Sequence, residues 1–378
     1  MKFAIAVIDD GLSSETIPNQ AFRHVYKNGV IELESDKISS FSHGSFCAAI
    51  IRKCAPYAEI GSIRVLDGDG MGKVDALIAA LNWCAEQKIK VMNLSIGSVQ
   101  PCDIPALYEA VNGVVKSGGI IIAACKNGCN VSFPASFPMV IGVRADESMT
   151  GKQFAVTPDP NGGIDFSASA RHDIVLIPGE EPMAITDFNS YAAPVVTAVV
   201  YDILSSAKCG DSLSEIREEL YRQGGGKTMA GKDYLETVQC FAGFPIKEKV
   251  PVVVFGGGDS KELMQGIAGK FLEDNYLPLL FSRYEENCSS ECFSVPMGLF
   301  HIADIGQFDN QCHAMANFYN ADIILAVVCE TEMDSPEIDV VITTQELGTG
   351  QMLDTRYLYA DGKDLDDLYR RLMVLLEG

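Results

Sequence analysis

No apolar run in this chain approaches the roughly 20 residues that a helix needs to cross a bilayer, which excludes a helical membrane-spanning protein. Basic residues are in short supply: 29 Lys and Arg stand against 51 Asp and Glu, for a net charge of −22. So negative a surface is repelled by nucleic acid and by anionic membranes, so neither is expected as a partner. Histidine is scarcer still, at 24, 43, 172, 301 and 313, which leaves few candidates for acid–base work. Internal repeats and low-complexity tracts are missing. An export signal is missing too: Phe3 to Ile8 is too short for a secretory apolar region, and no small-residue cleavage site follows.

What is present points to a globular chain. Hydrophobic residues make up 47% and charged residues 21% of 378, enough to build cores for two domains of roughly 100–200 residues each. The twelve cysteines are spread evenly rather than packed into a short frame. With no export signal, reduced thiols in a cytoplasm are expected rather than disulfides. Charge divides unevenly, with a net −8 over residues 1–245 and −14 over 246–378. A domain boundary is therefore expected near 246, just after Gly243-Phe244-Pro245, giving domains of 1–245 and 246–378.

In the first domain short apolar runs (3–8, 58–65, 89–94, 119–124, 139–144) alternate with helical patterns (43–54, 73–87, 103–117, 190–206, 212–222). Runs such as Ile120-Ile121-Ile122-Ala123 are apolar at every position, as strands are when helices cover both faces of a parallel sheet. Asn28-Gly29 predicts a hairpin. The second domain repeats the alternation, with strands at 251–256, 277–281, 322–328 and 338–343 and helices at 259–274, 309–319 and 364–376. Both domains read as α/β.

Hydrolysis by a nucleophile needs a hydroxyl or thiol, a base beside it and a group that orients the base. His43 opens a helix in Ser42-His43-Gly44-Ser45, where its ring can face a cleft. Asp9 and Asp10 end the first strand, where sites of parallel sheets gather. Ser190 precedes an apolar helix, so its backbone N–H is free to bind an oxyanion. Singly, each has a plain structural reading as turn, helix start or cap.

Together and in order, seven segments resemble the subtilisin-like serine peptidases. They are IAVIDDG (5–11), SHGSFCAAII (42–51), AEIGSIRVLDGDGMG (58–72), VMNLSIG (91–97), IIAACKNG (121–128), FPASFPMVIGV (133–143) and NSYAAP (189–194). The resemblance covers about residues 1–240 and implies a subtilisin-like parallel sheet with helices on both faces. It also implies roles: Asp9, His43 and Ser190 as catalytic triad, Asn127 as oxyanion donor, and Ser95, Ile96 and Gly97 pairing with an extended peptide substrate. Departures from the family pattern are Phe188 and Asn189 before the nucleophile, Lys126 before the oxyanion asparagine, and Phe46 at a position where many members carry histidine. No calcium cage is expected, and because the first strand begins at residue 3, neither is a folding pro-segment. The expectation is a cytoplasmic serine endopeptidase, without cofactor or metal, suited to limited cleavage such as leader removal from a peptide.

The second domain has a strand–Gly loop–helix form at 252–273, but Gly256-Gly257-Gly258-Asp259 departs from a P-loop and reads first as a tight turn. Gly226-Lys227-Thr228 reads as loop. Cys288, Cys292, His301, Cys312 and His313 supply donor types suited to zinc, though in no tight spacing, and packing is the first reading. The closing helix, with Leu365, Leu368, Leu372 and Leu375 in one stripe, is expected to dock on its own sheet. The acidic domain is left to recognise substrate, pair protomers or hold a partner protein. Two alternatives stay open: a pseudopeptidase that binds peptides without cutting them, and a nucleotide-controlled regulator acting through residues 250–378.

Overall fold

The structure, a computed structural model, describes residues 3–128, 131–157, 163–186, 188–206, 210–225, 246–257, 260–283, 299–302, 311–344, 356–360 and 364–377. Two compact units emerge, one of residues 1–99 with 106–232 and one of 100–105 with 233–378. The boundary expected near 246 adjoins residues 226–245, which lie outside the described residues together with Gly226-Lys227-Thr228.

The first unit opens with β1 (Ala4–Asp9), whose Ile5, Ala6, Val7 and Ile8 are all buried. The hairpin β2 (Arg23–Lys27) and β3 (Val30–Leu33) turns through Asn28 and Gly29. Both have positive φ, 51° and 89°, the geometry that lets a two-residue turn follow the twist of its strands. Then come α1 (His43–Cys54), β4 (Glu59–Arg64), α2 (Val74–Glu86), β5 (Val91–Leu94), α3 (Ile104–Lys116), β6 (Ile120–Ala124) and β7 (Ile141–Ala145). The sequence pattern places all of these within a few residues. It misses β8 (Phe154–Val156), β9 (Phe166–Ala168) and the separate pair β10 (His172–Ile174) and β11 (Met183–Ile185). Three residues are too few for a periodicity to register. The helices α4 (Ala193–Ser206) and α5 (Leu213–Gln223) complete the described part of this unit.

Among the described residues the main sheet has the order β3-β2-β4-β1-β5-β6-β7-β9-β8, parallel from β2 to β9 with antiparallel edges. The chain runs to one side of β1 for β2, β3 and β4, and to the other for β5, β6 and β7. The carboxyl end of β1 is therefore a switch point, where adjoining loops part and leave a crevice.

Strand geometry then decides which polar groups enter it. Ile5 and Val7 belong to the core cluster formed with α1 and α4, and alternate residues share a face. Asp9 continues that face. On β5, Val91 is in the same cluster, so Asn93 and Ser95 follow it towards α1 and α4. Inside, Asn93 is fully buried and its Oδ1 accepts from Thr197 Oγ1 on α4 at 2.8 Å.

In the second unit β12 (Val252–Gly256), β13 (Pro278–Ser282), β14 (Leu299–His301), β15 (Ile323–Val327), β16 (Val340–Thr343) and β17 (Tyr357–Tyr359) form one parallel sheet. Its order is β14-β13-β15-β12-β16-β17. Helices α6 (Ser260–Glu273), α7 (His313–Tyr319) and α8 (Leu365–Glu377) accompany it. Leu368, Tyr369 and Leu372 of α8 are buried in a core shared with Val253, Phe255 and Leu325, so the closing helix does dock on its own sheet. Gly257, just past β12, has φ +103°, while Gly258 and Asp259 lie outside the described residues.

Candidate active site

The first turn of α1 is built by two side chains from outside it, Ser42 and Asp10. Ser42 Oγ accepts from the Ser45 N–H at 3.2 Å. The Asp10 carboxylate accepts from the N–H groups of His43 and Gly44 at 2.9 and 2.7 Å, so two otherwise unpaired donors of the helix start are satisfied. Gly44 is required there, because a Cβ would stand 2.6 Å from the Gly11 carbonyl oxygen. Of the two acidic candidates, then, Asp10 caps the helix and Asp9 is left to meet the ring.

Asp9 is fully buried, and His43 Nδ1 lies 3.0 and 2.9 Å from its two carboxylate oxygens. Burial favours the neutral imidazole, but the Cys47 sulfur and the Asp9 carboxylate outweigh it and hold the ring's pKa above its ordinary value. The Asp10 carboxyl is raised by its own burial and then by the Asp9 charge, with the N–H bonds from Gly44 and His43 pulling the other way.

Ser190 sits in a single 3-10 turn, Asn189–Tyr191, that leads into α4. Its carbonyl accepts from Ser95 Oγ at 2.9 Å and from Cys47 Sγ at 3.6 Å. Cys47 Sγ in turn lies 3.9 Å from His43 Nδ1. The Tyr191 ring stacks on His43, with centroids 5.4 Å apart and planes at 30°. The fold thus brings Asp9, His43, Ser190 and Ser95 to one rim. The Ser190 hydroxyl makes no hydrogen bond to His43 among the described residues, and the Ser190 N–H finds no backbone acceptor among them.

The neighbouring loop is tied to the same turn. Asn127 Oδ1 accepts from the Asn189 N–H at 3.0 Å, Asn189 Oδ1 accepts from the Ala145 N–H at 2.8 Å, and Asn189 Nδ2 donates to Cys125 Sγ at 3.2 Å. An amide pinned by its oxygen turns its NH₂ away from that bond, so Asn127 keeps two donors for another acceptor. Ser98 pairs antiparallel with Phe133 through two backbone bonds, 2.7 and 2.8 Å. Ile96 and Gly97, just before it, make no backbone bond within the described residues. Phe188 is half exposed and edge-on to Tyr191, and Lys126 is exposed.

Reasoning from the residues overlooked Cys47, Tyr191 and His172. Cys47 stands one helical turn after His43, a spacing that shares a face. His43 Nδ1, Cys47 Sγ and an Asp9 carboxylate oxygen lie within 4.8 Å of one another. His172 is buried, with Nε2 3.1 Å from the Ser169 carbonyl and 3.3 Å from that of Tyr191. Burial lowers its pKa, partly offset by those two carbonyls. For the donor types suggestive of zinc, Cys288 and Cys292 lie outside the described residues, as does the His301 side chain. Cys312 is buried, and His313 Nδ1 accepts from the Val250 N–H at 3.3 Å.

A family model described as the subtilase family matches residues 1–227. The chain belongs to the subtilase family. It is 26% identical over 242 residues to the minor extracellular protease Epr of Bacillus subtilis strain 168, a match covering 61% of this chain and 36% of that protein. The major intracellular serine protease of the same strain is 28% identical over 228 residues, covering 53% of this chain and 70% of that one. Thermitase of Thermoactinomyces vulgaris is 29% identical over 160 residues, covering 39% and 56%. A solved structure titled Sphericase aligns with 58% of this chain and 83% of that chain, at 18% identity and a TM-score of 0.48. The subtilase match takes in all seven sequence segments and ends before β12, so the six-stranded unit lies beyond it.

Proposed function

We propose that this subtilase is a serine endopeptidase whose nucleophile is Ser190, with His43 as base and Asp9 as its orienting carboxylate. The observation that carries the reading is the Asp9–His43 bond at a parallel-sheet switch point, with the Ser190 turn on the same rim. Asp9 accepts from Nδ1–H, which leaves Nε2 as the base. His43 takes the Ser190 proton as the hydroxyl attacks the peptide carbonyl, and returns it to the leaving amine. The second half-reaction repeats the exchange with water. The Asn127 NH₂ and the Ser190 N–H stabilise the oxyanion. Backbone groups of Ser95, Ile96 and Gly97 add an extended substrate as a strand.

The protein acts in the cytoplasm on a defined peptide or protein, leader removal being one such task. Seven described cysteines take part in no disulfide, as a reducing compartment favours. Of the relatives, one is named an intracellular protease and another an extracellular one, so the thiols carry this part. The acidic unit, residues 246–378 in this reading, serves recognition of substrate or of a partner.

A fluorophosphonate probe tests the nucleophile. Parent protein is expected to label at Ser190, and Ser190→Ala to take no label while losing about 10⁴–10⁶-fold in turnover. A folded parent that takes no label would remove the peptidase reading. It would leave the second one, a peptide-binding pseudopeptidase, which the missing Ser190–His43 hydrogen bond favours.

A further inference from the structure

We propose that Tyr191 is a positioning residue for His43, holding the imidazole plane and covering it with an aromatic face. This rests on the triad reading above. Asp9 grips the imidazole at one edge only, since Nδ1 shares its contact between two oxygens of a single carboxylate. A ring held at one edge can still swing about that edge, carrying Nε2 away from a substrate-ready position. The stacked Tyr191 ring, 5.4 Å away and 30° from coplanar, closes that freedom.

Tyr191 is itself braced. Phe46 lies 6.2 Å away on one side and Phe188 6.1 Å away at 81°. Its carbonyl faces His172 Nε2 at 3.3 Å. The bracing also accounts for Phe188, a large apolar side chain left 53% exposed. Because Tyr191 directly follows Ser190, one short turn sets both the nucleophile and the plane of its base.

An aromatic face also attracts a cation, and His43 becomes one when it takes the Ser190 proton. Among the described residues, the charged and titratable groups around the ring are Asp9 and Asp10 at the end of β1, Cys47 on α1, and Tyr191 itself. Tyr191 adds to the side that favours the imidazolium.

The test uses the full chain and three variants. Tyr191→Phe keeps the ring, while Tyr191→Leu keeps bulk without it. Tyr191→Met gives a second aliphatic comparison that tolerates different packing. Hydrolysis of a short peptide is followed across pH, and the His43 ring is titrated by NMR. Tyr191→Phe is expected to stay within about threefold of the parent, and the aliphatic variants to lose roughly 10- to 100-fold in kcat with little change in KM. Losing a partner that favours the cation lowers the imidazole pKa, so the acid limb and the NMR titration both move to lower pH. Parent-like kcat with an unmoved titration in both aliphatic variants overturns the proposal. If the parent neither cleaves nor takes the probe, the peptidase reading fails, and the NMR titration alone still decides whether Tyr191 acts on His43.

Discussion

The two units share an architecture and differ in what they place at the ends of their strands. Each has at its centre parallel strands that are largely apolar and buried, with helices packed against them. In the first, the residues continuing the core-facing side of β1 and β5 are Asp9, Asn93 and Ser95, and they meet His43, Thr197 and the Ser190 turn. In the second, the described carboxyl ends carry Ser282 on β13 and Thr343 on β16. Beside them Arg283 is paired with Glu332 at 3.0 Å. A guanidinium closed onto a carboxylate holds a loop. A histidine closed onto a buried carboxylate is an oriented base with one nitrogen left over. The shared fold therefore does not predict shared chemistry, and the difference lies in a handful of residues on one side of two strands.

The comparison breaks most sharply at Asp9. Asp9→Asn is expected to lower kcat by about 10⁴-fold, since an amide no longer selects the right tautomer of His43; a loss below tenfold would detach that bond from catalysis. Asn127→Ala comes next, with about 10²–10³-fold expected in kcat and a KM close to the parent's, as for a donor used mainly in the transition state. Steady-state kinetics on one peptide reads both.

The reverse experiment belongs to the second unit. Leu372 is fully buried in the core of that sheet, and Leu372→Ala is expected to destabilise it by about 2–5 kcal/mol. Probe labelling at Ser190 should stay at the parent level. Loss of labelling in parallel with denaturation of the second unit would show that the chemistry depends on both.

The smallest effect is one of pH. His172 is buried, and its pKa is lowered first by desolvation. Its Nδ1 has no partner among the described residues. Below an ordinary histidine pKa of about 6.5 the unfolded chain binds a proton that the folded one refuses, so stability falls as pH drops through that value. Melting curves between neutral and mildly acid pH should show a shallower decline for His172→Gln than for the parent. An equal slope would take the acid sensitivity away from this residue.

Much of this is legible in the sequence. The apolar runs gave the strands because burial on both faces leaves no polar alternation to read, and the ordered segments from Asp9 to Ser190 gave the family. The short strands β8 to β11 were not legible, nor was the choice between Asp9 and Asp10 from the residues alone. Both acids end the same strand, and only the period of two sends Asp9 to the core side while Asp10 turns back to cap α1. Lys126 and Phe188 drew notice as departures from the family pattern. Phe188 proves to face solvent and the edge of Tyr191 rather than the interior.

By itself, then, the sequence determined the alternation of strand and helix, the uneven charge and which residue types could do chemistry, because each depends on local composition and spacing. Tertiary structure alone decided that Cys47, Ser95 and the Ser190 carbonyl meet, that Asn127 is pinned through Asn189, and that Tyr191 covers His43. Those contacts join segments up to 148 residues apart, and no local pattern encodes a neighbour that only the crossing of strands brings within reach.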